Sequence, residues 1–292
     1  MPKISIIIPT YNESQHLPLL LSDLSISNEE AEIIIVDCHS EDKTIEIGKL
    51  YGSKIYKSKK KNIIKLSKIS IIIPTYNESQ HLPLLLSDLS ISNKEAEIII
   101  VDCNSEDKTV EIGKLYGSKI YKSKKKNRGL QLNIGAKKAT GKWFIFLHAD
   151  SRLNQDWLKK VKSVMRYDEN SVYFFKFKIN NKKIIYRFLE IVVNLRSNIF
   201  KDPYGDQGLL INRETYFKNK GYRKIPLMED LDFIKRLKNK ASLKRLTIPI
   251  YTSSRKWEKT NIIFQAFKNW SYRKRWLRGE SIKSLHNDYY KN

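Results

Sequence analysis

The segment KISIIIPTYNESQHLPLLLSDLSIS occurs twice, from Lys3 and again from Lys68, and the match continues through KSKKKN to Asn62 and Asn127. Across the two stretches only three positions differ: Glu29 against Lys94, His39 against Asn104 and Ile45 against Val110. Nearly identical sequences have nearly identical local preferences, so both copies should form the same elements. Two copies do not make a solenoid, which needs at least about three stacked units. The chain is therefore a pair of sites, or one domain carrying an extra piece of itself.

Each copy reads as strand, helix, strand, helix, strand. KISIIIP is a short β-branched run of the kind buried on both faces of a parallel sheet. NESQHLPLLLSDLS follows with apolar residues at helical spacing, and Asn77 or Ser79 is the expected cap. AEIIIVDC is a second buried strand, SEDKTVEIGKLYG a helix closed by Gly117, and KIYKS a short third strand. Strands alternating with helices predict an α/β fold with a doubly wound, mostly parallel sheet.

The two copies lead into different sequence. After Asn127 comes RGLQLNIGAKKATGKWFIFLHADSRL, a helix and a further buried strand; after Asn62 comes only IIKLS before the pattern restarts. Residues 1–67 are thus expected to be a duplicated partial segment and 68–292 a complete domain. Pairing the first copy with residues 128 onward would close a loop of about 65 residues, costing about 3–4 kcal/mol. The contiguous second copy should win, leaving the first with open strand edges that invite a swapped dimer or aggregation.

The formal charge of +24 points to an anionic partner: a phosphate-bearing substrate, an acidic membrane surface or nucleic acid. A compositional bias toward Lys, Ile and Asn would raise the charge as well. No zinc-finger spacing or aromatic RNA-binding motif supports nucleic acid. The two cysteines, Cys38 and Cys103, are the same position in the two copies, so they are no disulfide framework and fit a reducing cytosol. There is no basic-then-apolar leader pattern, and no apolar run approaches the roughly 18 residues needed to span a bilayer. The expected location is cytoplasmic, with peripheral contact at the inner face of the membrane.

Ligands of open α/β sheets bind beyond the carboxyl ends of the strands. In the second copy those exits are Pro74-Thr75-Tyr76-Asn77-Glu78, Asp102-Cys103-Asn104-Ser105-Glu106-Asp107 and His148-Ala149-Asp150. Three polar exits on one rim make a site. Elsewhere, Glu229-Asp230 precedes a helix, where two acids would also be favoured by the macrodipole alone.

SIIIPTYNE, IIIVDCNSED, RGLQLNIGAKKATG, FIFLHADSRL and PLMEDLDF resemble, in order, the signature segments of family 2 glycosyltransferases, over essentially all of 68–292. PYGDQG, IPLMED and SSRKWEK resemble a bacterial subgroup linked with arsenosugar biosynthesis, beside one that glycosylates carotenoid or other lipid acceptors. The resemblance implies the GT-A fold of nucleotide-diphospho-sugar transferases. Residues 68–150 would then be the nucleotide-binding half, 151–258 the acceptor half, and 259–292 a basic amphipathic C-terminal helix and tail. It implies an enzyme moving a sugar from a nucleotide-diphosphate sugar, UDP-linked, to an acceptor hydroxyl of a small molecule or lipid.

Residue by residue, Asp150 matches the last Asp of the family's metal-binding Asp-x-Asp, and His148 stands where the first Asp would. That departure weakens the site or moves its preference from Mg²⁺ toward Mn²⁺, which accepts imidazole more readily. Asp102 matches the carboxylate that reads the base edge; Pro74, Thr75 and Glu78 lie where base and ribose are held. Arg128 and Asn133, on the helix before the metal strand, suit the diphosphate. Asp230 matches the general base of inverting members, with Glu229 supplying like-charge pressure on it. Asp206 and Gln207, between glycines, are expected at the donor sugar or acceptor, and Arg255 and Trp257 near the diphosphate and acceptor. Two rival readings are a GT-A-fold nucleotidyltransferase, whose Gly-rich first loop is missing here, and a basic nucleic-acid binder without catalysis. In the C-terminal segment, Ile263, Phe267, Trp270 and Trp276 lie near helical spacing among Lys and Arg, a pattern that packs on its own domain or lies on an anionic membrane. The first copy has Glu13 and Asp37 but no counterpart of Arg128, Asp150, Asp206 or Asp230, so one site is expected.

Overall fold

A computed structural model describes residues 4–27, 31–57, 69–90, 95–255 and 262–291. The chain divides into two compact units, Met1–Leu66 and Ser67–Asn292.

The N-terminal unit contains β1 (Ile4–Thr10), α1 (Leu17–Ser27), β2 (Ala31–Asp37), α2 (Thr44–Leu50) and β3 (Lys54–Lys57). Its three strands form a parallel sheet in the order β1-β2-β3, with β1 in register from Ile4 opposite Ala31 to Thr10 opposite Asp37. Its buried core is small, centred on Leu17, Leu21 and Ile35.

The C-terminal unit repeats the pattern as β4 (Ile69–Thr75), α3 (Leu82–Leu89), β5 (Ala96–Asp102), α4 (Thr109–Leu115) and β6 (Lys119–Lys122). It continues with α5 (Arg128–Lys138), β7 (Trp143–Phe146), β8 (Arg152–Leu153), α6 (Trp157–Tyr167), β9 (Ser171–Ile179) and α7 (Ile184–Ile199). A 3₁₀ turn (Gly205–Gln207), β10 (Leu209–Asn212), α8 (Arg213–Lys218), α9 (Glu229–Leu237), β11 (Ser242–Thr252), α10 (Ile262–Leu277) and α11 (Ile282–Lys291) complete it. The eight strands are ordered β6-β5-β4-β7-β10-β9-β11-β8. The block β6-β5-β4-β7 is parallel; β10 runs antiparallel between β7 and β9. The α/β fold with a mostly parallel sheet is as expected.

Alternation along the strands explains why ISIIIPT is apolar throughout. Ile71 and Ile73 face a core shared with α3 and α6, through Leu82, Leu85, Leu86, Leu89, Trp157 and Val161. Ile72 faces the opposite core, with Leu132 and Ala136 of α5 and Phe233, Ile234 and Leu237 of α9. A strand covered on both faces has no solvent side to make polar. Gly135 lets α5 close on the sheet, because a Cβ there would run into Ile72. Gly117 takes φ +72° just past α4, as its position at the helix end predicts.

One local expectation fails. Neither Asn77 nor Ser79 caps α3: the helix starts at Leu82 after His81, without a side-chain cap, and with Pro83 in its first turn. Among the described residues no helix is long and apolar enough to cross a membrane.

Candidate active site

The exits of β4 and β5 are cross-linked through their own side chains. Asn77 adopts φ 51°; its N–H donates to Ser105 Oγ at 2.8 Å and its Oδ1 accepts from the Glu106 N–H at 2.9 Å. The Glu78 N–H donates to Thr109 Oγ1 (2.8 Å) and the Ser79 N–H to Asp107 Oδ2 (3.0 Å). Asn77 and Ser79 are thus recruited away from capping to hold one loop against the next. Asn tolerates the left-handed conformation this requires.

Beside these loops lies a cleft of about 810 Å³ lined by Pro74, Thr75, Tyr76, Glu78, Lys126, Arg128, Gln131, His148, Asp150, Glu229 and Arg255, among others. Arg255 donates to both carboxylate oxygens of Glu78 (2.8 and 3.1 Å), and its Nη2 lies 3.8 Å from Asp150. Gln131, not singled out from sequence, donates to the carbonyls of Thr75 (2.9 Å) and Val101 (2.8 Å), fixing two strand ends. Lys126, at the end of the KSKKKN run, lies with its ammonium 3.8 Å from the centre of the Tyr76 ring.

Asp102 and Asn133 do not line this cleft. Asp102 is buried and accepts from Thr75 Oγ1 (2.9 Å), Ser105 Oγ (2.5 Å) and the Ser105 N–H (2.8 Å). It ties the two strand ends together in this structure. Asn133 donates to the Tyr222 carbonyl at 3.0 Å, holding α5 to the segment before α9.

A second cleft, of about 410 Å³, shares Arg128, His148 and Asp150 with the first. Its further walls include Asp206, Asp230, Phe177, Leu189, Val192 and Val193, with Arg196, Tyr204, Trp270 and Arg273. Asp230 Oδ2 accepts from the Gly205 N–H (2.8 Å) and its Oδ1 from the Leu231 N–H (2.8 Å), while Arg128 Nη2 lies 3.8 Å away. A Cβ on Gly205 would stand 2.9 Å from His148 Nε2 and 3.2 Å from Asp230 Oδ2, so glycine is what allows this turn to pass between them.

Two expectations change here. Glu229 is buried and ion-paired to Arg128 Nε, and burial pushes its carboxyl up, with Asp230 adding to the rise and Arg128 opposing it. Glu229 thus pairs with Arg128, which is held at the junction by an acid 101 residues away. Gln207 lines neither cleft: it is fully buried, accepting from Ser197 Oγ (2.6 Å) and donating to the Phe175 carbonyl (3.4 Å). Only Asp206 of that pair reaches the second cleft. Trp257 lies outside the described residues. Arg196, Tyr204 and Arg273 were missed because nothing local marks them; the cation over the Tyr204 ring comes from Arg196 at 3.6 Å, and Arg273 pairs with Asp202.

Among the described residues no three His, Cys, Asp or Glu side chains converge as a metal site. His148 and Asp150, at the exit of β7, offer one imidazole and one carboxylate to both clefts. That two-donor set fits a divalent cation that takes its remaining ligands from diphosphate oxygens and water.

The family profile described as "Glycosyl transferase family 2" matches residues 5–68 and again 70–231. The 4,4'-diaponeurosporenoate glycosyltransferase of Staphylococcus haemolyticus is 36% identical over 95 residues, covering 30% of this chain and 25% of that protein. The poly(ribitol-phosphate) β-N-acetylglucosaminyltransferase TarS of Staphylococcus aureus is 25% identical over 160 residues, covering 52% and 26%. The chain thus spans about a quarter of the length of these curated relatives. The solved S. aureus TarS 1-349 in complex with UDP shares the fold at TM-score 0.54 and 22% identity, covering 64% of this chain and 60% of that one. TarS 1-349 has also been solved with UDP-GlcNAc, and the mannosyltransferase PcManGT of Pyrobaculum calidifontis (TM-score 0.50, 16% identity, covering 63% and 56%) with GDP-Man and Mn²⁺. With the profile matching well over half of its residues, the chain belongs to glycosyl transferase family 2.

Proposed function

We propose that the chain is an inverting glycosyltransferase that moves a sugar from a nucleotide-diphosphate sugar, UDP-linked, to an acceptor hydroxyl. The observation that carries this reading is the meeting of two clefts at Arg128, His148 and Asp150, with Asp230 in the second. One cleft takes the nucleotide between the β4 exit and Arg255; the other takes the acceptor. The ligands of TarS and PcManGT support a nucleotide-sugar donor. On this reading residues 68–150 serve the donor, 151–258 the acceptor, and α10 walls the acceptor cleft. The extra N-terminal copy lacks counterparts of Arg128, Asp150, Asp206 and Asp230, and its open edge can pair with another chain as a swapped dimer. The location is cytoplasmic, where nucleotide sugars are made.

Chemically, Asp230 takes the proton of the acceptor hydroxyl as that oxygen bonds the anomeric carbon. The bond from that carbon to the diphosphate oxygen breaks, and the nucleoside diphosphate leaves with the electron pair. The N–H groups of Gly205 and Leu231 orient the Asp230 carboxylate for this step. A Mn²⁺ or Mg²⁺ ion held by Asp150 and His148 would supply positive charge for the leaving diphosphate. Arg128 and Arg255 border the same place and add to it.

The test is a panel of nucleotide sugars with Mn²⁺ or Mg²⁺, scored for released nucleotide. At least one UDP-sugar should be turned over, and Asp150→Ala should abolish the metal dependence. Metal-stimulated activity unchanged in Asp150→Ala would remove the metal assignment, and no nucleotide release from any donor would remove the reading.

A further inference from the structure

Helix α7 is amphipathic in the reverse of the usual sense. Its inward side carries Glu190, Asn194 and Ser197, all buried beside Tyr186 and Leu189. The cause is the edge of β9. Strand β10 pairs with β9 only at Tyr173, so beyond that point this edge has no neighbouring strand. Side chains substitute for it: Glu190 accepts from the Ile179 N–H (2.7 Å), and Asn194 accepts from the Phe177 N–H (3.0 Å) and donates to the Phe177 carbonyl (2.9 Å). Buried backbone polar groups demand such partners, so α7 must turn its polar side inward.

The apolar residues are left outside. Ile184, Phe188, Ile191, Leu195 and Ile199, spaced at helical repeats, form one stripe, with Ile184 87% and Phe188 67% exposed. Scattered exposed apolar residues are ordinary, but a contiguous stripe of this length marks a binding face. Helix α10 adds exposed Phe264, Phe267 and Trp270, and the acceptor cleft opens between them, since exposed Val192 and Trp270 both line it. The exposed flanking charge is basic. Lys182 and Lys183 precede α7, Lys201 follows it, and α10 adds Lys274 and half-buried Lys268, while Arg273 and Arg275 of α10 are ion-paired to Asp202 and to Glu280 and Asp288.

We propose that the α7 stripe, with the exposed aromatic edge of α10, docks on an anionic lipid bilayer, lying in its interface with the acceptor cleft at the border of the docked face. A sixteen-residue helix is too short to span the hydrocarbon, and its combination of greasy stripe and lysine flanks is that of an interfacial helix. This inference deepens the glycosyltransferase reading by naming the surface at which that site would work.

The test is cosedimentation of the full chain with vesicles of phosphatidylcholine alone or with phosphatidylglycerol added. The parent should bind the anionic vesicles, and a Phe188→Ser, Leu195→Ser double variant should bind them about tenfold more weakly or worse. Both side chains are exposed, so circular dichroism and Tm should match the parent. Leu19→Ser, which removes an exposed leucine from the N-terminal unit, should leave binding unchanged. Equal binding by parent and double variant would overturn the proposal, as would no binding by the parent. Loss of self-association in the double variant, without vesicle binding by the parent, would assign the stripe to a second copy of the chain. UDP binding, followed by calorimetry, separates the two ideas: no vesicle binding by a parent that binds UDP condemns the docking face alone, and vesicle binding by a parent that binds no UDP condemns the donor reading alone.

Discussion

The same seven residues, ISIIIPT, form β1 in one unit and β4 in the other, and they meet opposite fates. Ile7 is 64% exposed while its counterpart Ile72 is fully buried; Ile4 is 52% exposed against 2% for Ile69. On the following helices, Leu20 is 45% exposed and Leu85 fully buried. Both copies form the same order of elements with the same loop cross-links: Asn12, Glu13 and Ser14 bond Ser40, Thr44 and Asp42 as their counterparts do. The difference arises from the chain downstream of each copy. Strand β7 pairs with β4, and α5 covers Ile72, while β1 lies at the edge of its sheet. Secondary structure is set within the repeat, and burial is set outside it.

Four experiments can break or sharpen that contrast. The largest effect is expected at Asp230, which the N-terminal unit lacks: Asp230→Asn should lower turnover by about 10²–10⁴-fold, measured as nucleotide release. The paired substitution Asp37→Asn should leave turnover unchanged. Next comes packing. Ile72→Ser should cost about 3–5 kcal/mol in urea unfolding, whereas Ile7→Ser should not move the transition. All five tryptophans lie beyond residue 140, so their fluorescence reports the C-terminal unit alone.

A third, smaller effect concerns one acid in two settings. Burial pushes the Glu97 carboxyl up, but hydrogen bonds from Lys119, Ser70 and Thr140 outweigh it and bring it down to about 2. Among the described residues its counterpart Glu32 bonds Lys54 and Ser5. Glu97→Gln should destabilise by about 1–3 kcal/mol at neutral pH, and Glu32→Gln should have no measurable effect. Because the folded state holds Glu97 ionised, the parent's advantage is full above the ordinary carboxylate value of 4.5. It should fade as the pH falls from there toward about 2. The smallest effect on turnover is expected from removing residues 1–65: none, with less self-association by sedimentation velocity. Lost activity in that truncation would show that the extra copy takes part.

Much of the site could be read from strand exits, because a parallel sheet sends its carboxyl ends to one rim. Thr75, Glu78, His148 and Asp150 all border the larger cleft for that reason. Arg128 and Asp230, singled out through the resemblance, both line the second cleft. The features that escaped depend on partners far away in sequence. The burial of Gln207 follows from Ser197 on another element, and the pairing of Arg128 follows from Glu229. Helix α7 is the clearest case. Periodicity identifies its two faces but assumes that the apolar one turns inward, and only the gap in the β9 ladder reverses that choice.

The open edge of β1 also has a history in time. On the ribosome the N-terminal sheet is complete once Lys57 has emerged, while the strand that pairs with the repeat's first strand, β7, ends at Phe146. At ordinary elongation rates that interval lasts roughly 4–18 s. Through it the nascent chain presents a formed strand edge whose natural neighbour has not been synthesised. When β7 does arrive, the identical strand β4 is already nearer to it along the chain. Synthesis order and chain connectivity thus favour the same pairing, and the protein reaches its fold by passing an earlier copy of its own first step.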